Sequence, residues 1–260
     1  GGDYDTLDIS DGFDQPGLGI EENLRRIGEA RLRFPPGQGF KYSIGIDVLG
    51  EAIARATGTP LPKLIEELIT APLSLRDTGF HIADHRRTAT PYTDGVAADG
   101  SRRPARMLDG ATVPLFDTVL RYAPSRLENP ASYPSGGAGM AGTAADVLTL
   151  LETLRQGGGA ILRRESVAAM MREQVPAPIE GLDPGWGYGY GWAVLNDPLA
   201  TNTPQSPGTI AWGGVYGHSW FVDPQRRLSV VALTNTAIEG MQGEFTIDLR
   251  DAVYAGLGAD

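Results

Sequence analysis

Thr209-Ile210-Ala211-Trp212-Gly213-Gly214-Val215-Tyr216-Gly217-His218-Ser219-Trp220-Phe221-Val222-Asp223 is the stretch whose reading decides the fold. Its apolar and β-branched runs predict strands over Thr209 to Trp212 and His218 to Val222, separated by glycines. Gly187 to Leu195 upstream and Leu228 to Thr234 downstream read as further strands, the latter ending at Asn235, and a helix from about Phe245 to Tyr254 closes the chain. Residues 181–260 are therefore expected to form an antiparallel sheet with a covering helix. Gly213 and Gly214 lie inside an apolar strand, where glycine weakens pairing; they mark either a bend or a place where something comes close to the backbone.

Working outward, residues 1–180 read as a mainly helical region. Residues 1–20 are irregular, and Glu21 to about Ala30 reads as a short helix. After the turn-rich Phe34-Pro35-Pro36-Gly37-Gln38-Gly39, apolar residues at Ile44, Val48, Leu49 and Ile53 recur at helical spacing over Ser43 to Ala56. Tyr42 thus sits at the mouth of a helix. A second helix runs from Leu61 to Ile69. Residues 79–126 read as a long loop, with short strands near His81 and Val113; so long a span suggests a lid or wall. Thr143 caps a helix from Ala144 to Arg155, with Asp146 completing a capping box. Arg164 to Arg172 forms another.

Composition narrows the function. The chain has 260 residues, is 41% hydrophobic, and carries 32 acidic against 22 basic residues for a formal charge of −10. That balance, without any block of basic residues, disfavours nucleic acid and anionic membrane as partners. Cysteine is absent, which excludes disulfides, thiolate metal sites and cysteine nucleophiles and leaves the compartment open. No apolar run reaches the roughly 18 residues that span a bilayer. The opening Gly1-Gly2-Asp3-Tyr4-Asp5 has no apolar leader and reads as the interior of a longer protein.

Several motifs fail as self-contained sites. Gly217-His218-Ser219-Trp220-Phe221 looks like the start of a nucleophile elbow, but it reads as strand, where His218 and Ser219 point to opposite faces. His81 and His85 have a metal-like spacing without helical periodicity or a third ligand. Gly136-Gly137-Ala138-Gly139 has no following lysine to make a phosphate cradle, and helix entry with close packing explains it better. Lysine occurs only at Lys41 and Lys63, and the residues three positions upstream are Gln38 and Pro60, so no Ser-x-x-Lys nucleophile turn exists.

Taken in order, Gln38-Gly39-Phe40-Lys41-Tyr42-Ser43, Tyr133-Pro134-Ser135-Gly136-Gly137-Ala138-Gly139-Met140 and the stretch from Trp212 to Asp223 closely resemble the family VIII carboxylesterases. These are serine hydrolases of the class C β-lactamase and penicillin-binding-protein fold, and the likeness covers essentially the whole chain. It implies an α/β (α+β) architecture in which an antiparallel sheet is flanked by helices beside a mainly helical region. It also implies that an N-terminal segment carrying Ser-x-x-Lys is missing here, so that this chain is inactive alone and the fold incomplete without that partner.

By the same resemblance Tyr42 matches the tyrosine that assists the nucleophile, a role that needs a nearby ammonium to lower a phenol pKa of about 10. The backbone N–H of Val215 matches one of two oxyanion donors. Trp212, Gly213 and Gly214 stand where β-lactamases carry Lys-Thr-Gly and would bind substrate: the glycines let it lie against the strand and Trp212 gives an apolar wall. Ile44 replaces the amide of the Tyr-x-Asn motif. These exchanges favour a small, neutral, short-chain ester over a β-lactam, and the chemistry implied needs no cofactor or metal. Two other readings stay open: a non-catalytic ligand-binding remnant, and a β-lactamase or peptidase of the same fold.

Overall fold

At Gly142 the chain passes from one compact unit, Gly1–Gly142, to a second, Thr143–Asp260. The computed structural model describes residues 3–82, 84–96, 101–115, 118–175, 179 and 182–258.

In the second unit the apolar runs form a five-stranded antiparallel sheet ordered as in the sequence: β5 (Trp186–Tyr188), β6 (Ala193–Leu195), β7 (Ile210–Gly214), β8 (His218–Asp223) and β9 (Leu228–Leu233). The register sets Trp212 opposite Trp220 and Gly214 opposite His218. Alternation along β8 directs Val222 to one face and Phe221 to the other. Val222 joins Val194 and Ile210 in a core with Leu151 and Leu154 of α5 (Ala144–Arg155) and Val167 of α6 (Arg164–Met170). Phe221 stacks on Tyr254 of α7 (Glu244–Gly256), with ring centres 6.1 Å apart, and the Tyr254 hydroxyl donates to Asp223 at 2.6 Å. Helices thus cover both faces. Thr143 caps α5 by accepting from the Asp146 N–H at 3.2 Å.

Two expectations change here. The run from 187 to 195 is two strands, because Gly189-Tyr190-Gly191 turns the chain back and the Gly189 N–H donates to the Trp192 carbonyl at 2.8 Å. The structural divide falls at 142/143 instead of near 180, because Leu151, Leu154 and Val167 bury their side chains against the sheet.

The first unit holds α1 (Asp3–Thr6), α2 (Ile20–Glu29), α3 (Gly45–Thr57) and α4 (Leu61–Ile65), the last running into a π-helical turn, Glu66–Thr70. Within the span read as a loop lie two antiparallel hairpins, β1 (Tyr92–Val96) with β2 (Arg102–Arg106), and β3 (Ala111–Leu115) with β4 (Thr118–Tyr122). In the first, β2 is exposed throughout and has no alternation to read; in the second, Leu120 and Tyr122 are buried and Arg121 between them is exposed. Near His81, among the described residues, there is only an isolated bridge between Gly79 and Ala141. Among the described residues no helix is long and apolar enough to cross a membrane.

Candidate active site

The first candidate, Tyr42, leads directly into helix α3, which is attached to its unit in an unexpected way. Ile46, Val48, Leu49 and Ile53 are exposed, while the two buried residues of the helix are Asp47 and Gly50. Tyr42, 49% exposed, stands two residues before Ile44, which caps α3 without a side-chain hydrogen bond. Next to it the Ser43 hydroxyl is hydrogen-bonded to that of Tyr4 at 2.8 Å.

Asp47, in the first turn, reaches away from its own helix. One carboxylate oxygen accepts from the Ser135 hydroxyl and the Gly137 N–H, both at 2.7 Å, and the other from the Tyr133 hydroxyl at 2.9 Å. Each of the two hydroxyl donors has a further partner. Ser135 Oγ accepts from the Ala138 N–H, so its own hydrogen is free to point at Asp47. Asn23 Nδ2 donates to Tyr133 Oη and to the Ser10 carbonyl, while Asn23 Oδ1 accepts from the Ser10 N–H at 2.9 Å. Arg126 lies 4.3 Å above the Tyr133 ring and donates to the Tyr133 carbonyl at 2.8 Å.

Burial, followed by the Asp47 charge, raises the Tyr133 phenol well above its ordinary value, so it stays a donor. Asp11, beside Ser10, is pushed up to about 7 by burial and then by the Asp14 and Asp47 carboxylates, against the pull of backbone N–H groups. A Cβ at Gly136 would sit 2.8 Å from the Ile46 carbonyl oxygen, so only glycine lets this loop lie against the first turn of α3. The glycine-rich loop therefore cradles a carboxylate of the protein itself.

The other four candidates sit together in the second unit. Trp212 on β7 faces the helical core and meets Tyr188 edge to face, with ring centres 5.3 Å apart and an angle of 73°. A Cβ at Gly213 would lie 2.8 Å from Met241 Cγ and 3.1 Å from the His218 carbonyl oxygen, so packing within the protein already demands glycine there. Gly214 faces His218 across the ladder, and the Gly217 N–H closes the turn onto the Gly214 carbonyl at 2.8 Å. Val215 opens that turn, its carbonyl accepting from the Ile238 N–H at 3.0 Å. Tyr42 belongs to the first unit and Trp212, Gly213, Gly214 and Val215 to the second.

His218 and Ser219 are neighbours on β8. His85 Nδ1 lies 3.5 Å from Glu128, and among the described residues no group of three or more His, Cys, Asp or Glu is arranged to hold a metal. Sequence reasoning missed Asp47 and its donors. The available signal was an acid inside the otherwise apolar Ile44-Gly45-Ile46-Asp47-Val48-Leu49.

Comparison with known proteins follows the same lines. The family described as Beta-lactamase matches residues 1–255. Esterase EstB of Burkholderia gladioli is 51% identical over 255 residues, which are 97% of this chain and 64% of that esterase. The solved structure of EstCE1, described as a hydrolase with promiscuous acyltransferase activity, superposes with a TM-score of 0.90 at 46% identity, over 97% of this chain and 66% of that one. A penicillin-binding protein from Bacillus halodurans, at 18% identity and a TM-score of 0.65, shares the fold. The chain thus spans about two thirds of the length of these relatives.

Proposed function

Because this chain belongs to the Beta-lactamase family and has its fold, we propose that it forms the greater part of a family VIII serine carboxylesterase acting on small, short-chain esters. The observation that carries this reading is the 51% identity to an esterase over 97% of the chain. Since no Ser-x-x-Lys occurs in the sequence, the nucleophile comes from a segment outside these residues, either upstream in the same polypeptide or on a second one.

The reaction is two-step acyl transfer. The serine oxygen attacks the ester carbonyl, the oxyanion accepts hydrogen bonds from the Val215 N–H and from the serine's own N–H, and the alcohol departs with a proton. Water then releases the acid, and Tyr42 moves the proton in both halves with the motif lysine favouring its phenolate. Trp212 forms an apolar wall beside the ester.

Two surfaces support a docking segment. Helix α3 exposes Ile46, Leu49 and Ile53 along one face, and β9 is an edge of its sheet among the described residues.

The test is an assay of the complete polypeptide, or of this chain with its nucleophile-bearing complement, on p-nitrophenyl butyrate beside a chromogenic cephalosporin. Ester turnover that Tyr42→Phe abolishes supports the esterase. Ring opening alone assigns a β-lactamase or peptidase instead, and no turnover of either leaves a ligand-binding remnant.

A further inference from the structure

Resting on the esterase reading, we propose that Asp47 is a positioning residue for Tyr42, fixing the phenol by pinning the first turn of α3 to the loop from Tyr133 to Ala138. An apolar grip cannot do this. The stretch from Tyr42 to Ile46 is exposed or half-buried, Ile44 provides no cap, and the apolar side chains of α3 point outward. What does hold the turn is one buried carboxylate with three donors, backed by the seating of Gly136 on the Ile46 carbonyl. The Tyr4–Ser43 hydrogen bond restrains the same segment from its other end.

The donor geometry favours an acceptor-only group at this position. The Gly137 N–H can only donate. The Ser135 hydroxyl accepts from Ala138 and turns its hydrogen toward Asp47, while the Tyr133 hydroxyl accepts from Asn23 and has Asp47 at 2.9 Å and the Ser10 carbonyl at 3.4 Å to take its hydrogen. A carboxylate meets all three. The amide of asparagine keeps an oxygen for Ser135 and Gly137 but sets its NH2 against the Tyr133 hydroxyl, whose hydrogen must then turn to the more distant Ser10 carbonyl, and the charge that strengthens all three bonds is lost at nearly unchanged volume. Asp47→Asn therefore loosens the turn without opening a cavity, and a phenol misplaced by about 1 Å can cost on the order of 100-fold in rate.

The experiment compares Asp47→Asn with Leu75→Ala in the polypeptide that carries both this chain and the nucleophile segment; Leu75 is buried in the same unit but is no partner in this network. Asp47→Asn is expected to lower kcat for p-nitrophenyl butyrate by about 10-fold or more with KM within about twofold. Leu75→Ala is expected to lower Tm while leaving kcat per folded molecule unchanged. In 13C-tyrosine-labelled protein, the Tyr42 ring resonance, identified by its loss in Tyr42→Phe, should shift or broaden in Asp47→Asn and not in Leu75→Ala. An unchanged kcat per folded molecule, or an unchanged Tyr42 resonance, in Asp47→Asn overturns the proposal. Should the wild-type protein turn over no ester, the esterase reading fails by itself, and the resonance still decides whether Asp47 places Tyr42.

Discussion

Helices α3 and α5 are 13 and 12 residues long and are held to their units in opposite ways. Helix α5 follows the usual amphipathic rule: Leu151 and Leu154 go inward, Val147 and Leu150 pack around them, and Thr143 satisfies an N-terminal N–H. Helix α3 shows its apolar residues to solvent and buries an aspartate. Both give the same 3.6-residue period. The period therefore reports that a helix exists, and the groups around it decide which side goes in. A polar anchor is directional where an apolar stripe is not, which suits a helix whose task is to hold one side chain at a set angle.

The largest effects should come from the chemistry. In the complete protein Tyr42→Phe is expected to reduce kcat by about 100- to 10,000-fold, and Val215→Pro, which deletes the proposed oxyanion N–H from the other unit, by about 100- to 1,000-fold. Steady-state kinetics with matched circular dichroism spectra checks both, and a Val215→Pro enzyme that is folded and fully active would take the oxyanion role away from that turn.

Next comes the packing contrast itself. Leu154→Ala on α5 should cost about 2–5 kcal/mol, whereas Leu49→Ala on the exposed face of α3 should stay within about 0.5 kcal/mol. Urea unfolding of this chain measures both; equal costs would mean that the α3 face is packed after all.

The two units should also answer pH with opposite slopes. Asp11 in the first unit has a folded pKa of about 7, above its ordinary 3.8, so its contribution is full below about pH 4 and is lost as pH rises toward 7. Glu152 on α5 is held at about 2, below its ordinary 4.5, chiefly by hydrogen bonding to Arg155 with burial opposing, so its contribution is full above about pH 4.5 and is lost as pH falls toward 2. Stability measured between pH 2 and 8 should show Asp11→Asn flattening the upper slope and Glu152→Gln the lower; substitutions that leave both slopes intact would remove these groups as their source. Thr143→Ala, the smallest change, should cost about 1 kcal/mol by removing the cap of α5.

The sheet core was legible because its signals are local. The Thr143 cap, the run from Ala144 to Arg155 and the strands around Trp212 and Phe221 each declare themselves within a few residues. The hairpin of β1 and β2 was not, since Arg102 to Arg106 lies exposed and has no face to alternate. The glycine pair at 213 and 214 read equally as a bend or a close approach; the structure shows a close approach at Gly213, by Met241 from 28 positions away in sequence (241 − 213). The Asp47 cluster was hidden for the same reason, because its donors are separated from it by 86, 88 and 90 positions.

That separation bears on protein engineering. A library that varies the neighbourhood of Tyr42 without the glycine loop, or the loop without the helix, samples each half of a joint whose faces were fitted together, and most of its members will be non-additive failures. Transplanting the tyrosine onto another scaffold of this kind carries the same obligation: the recipient must receive Tyr133 to Ala138 along with the helix, or the grafted phenol loses the joint that aims it.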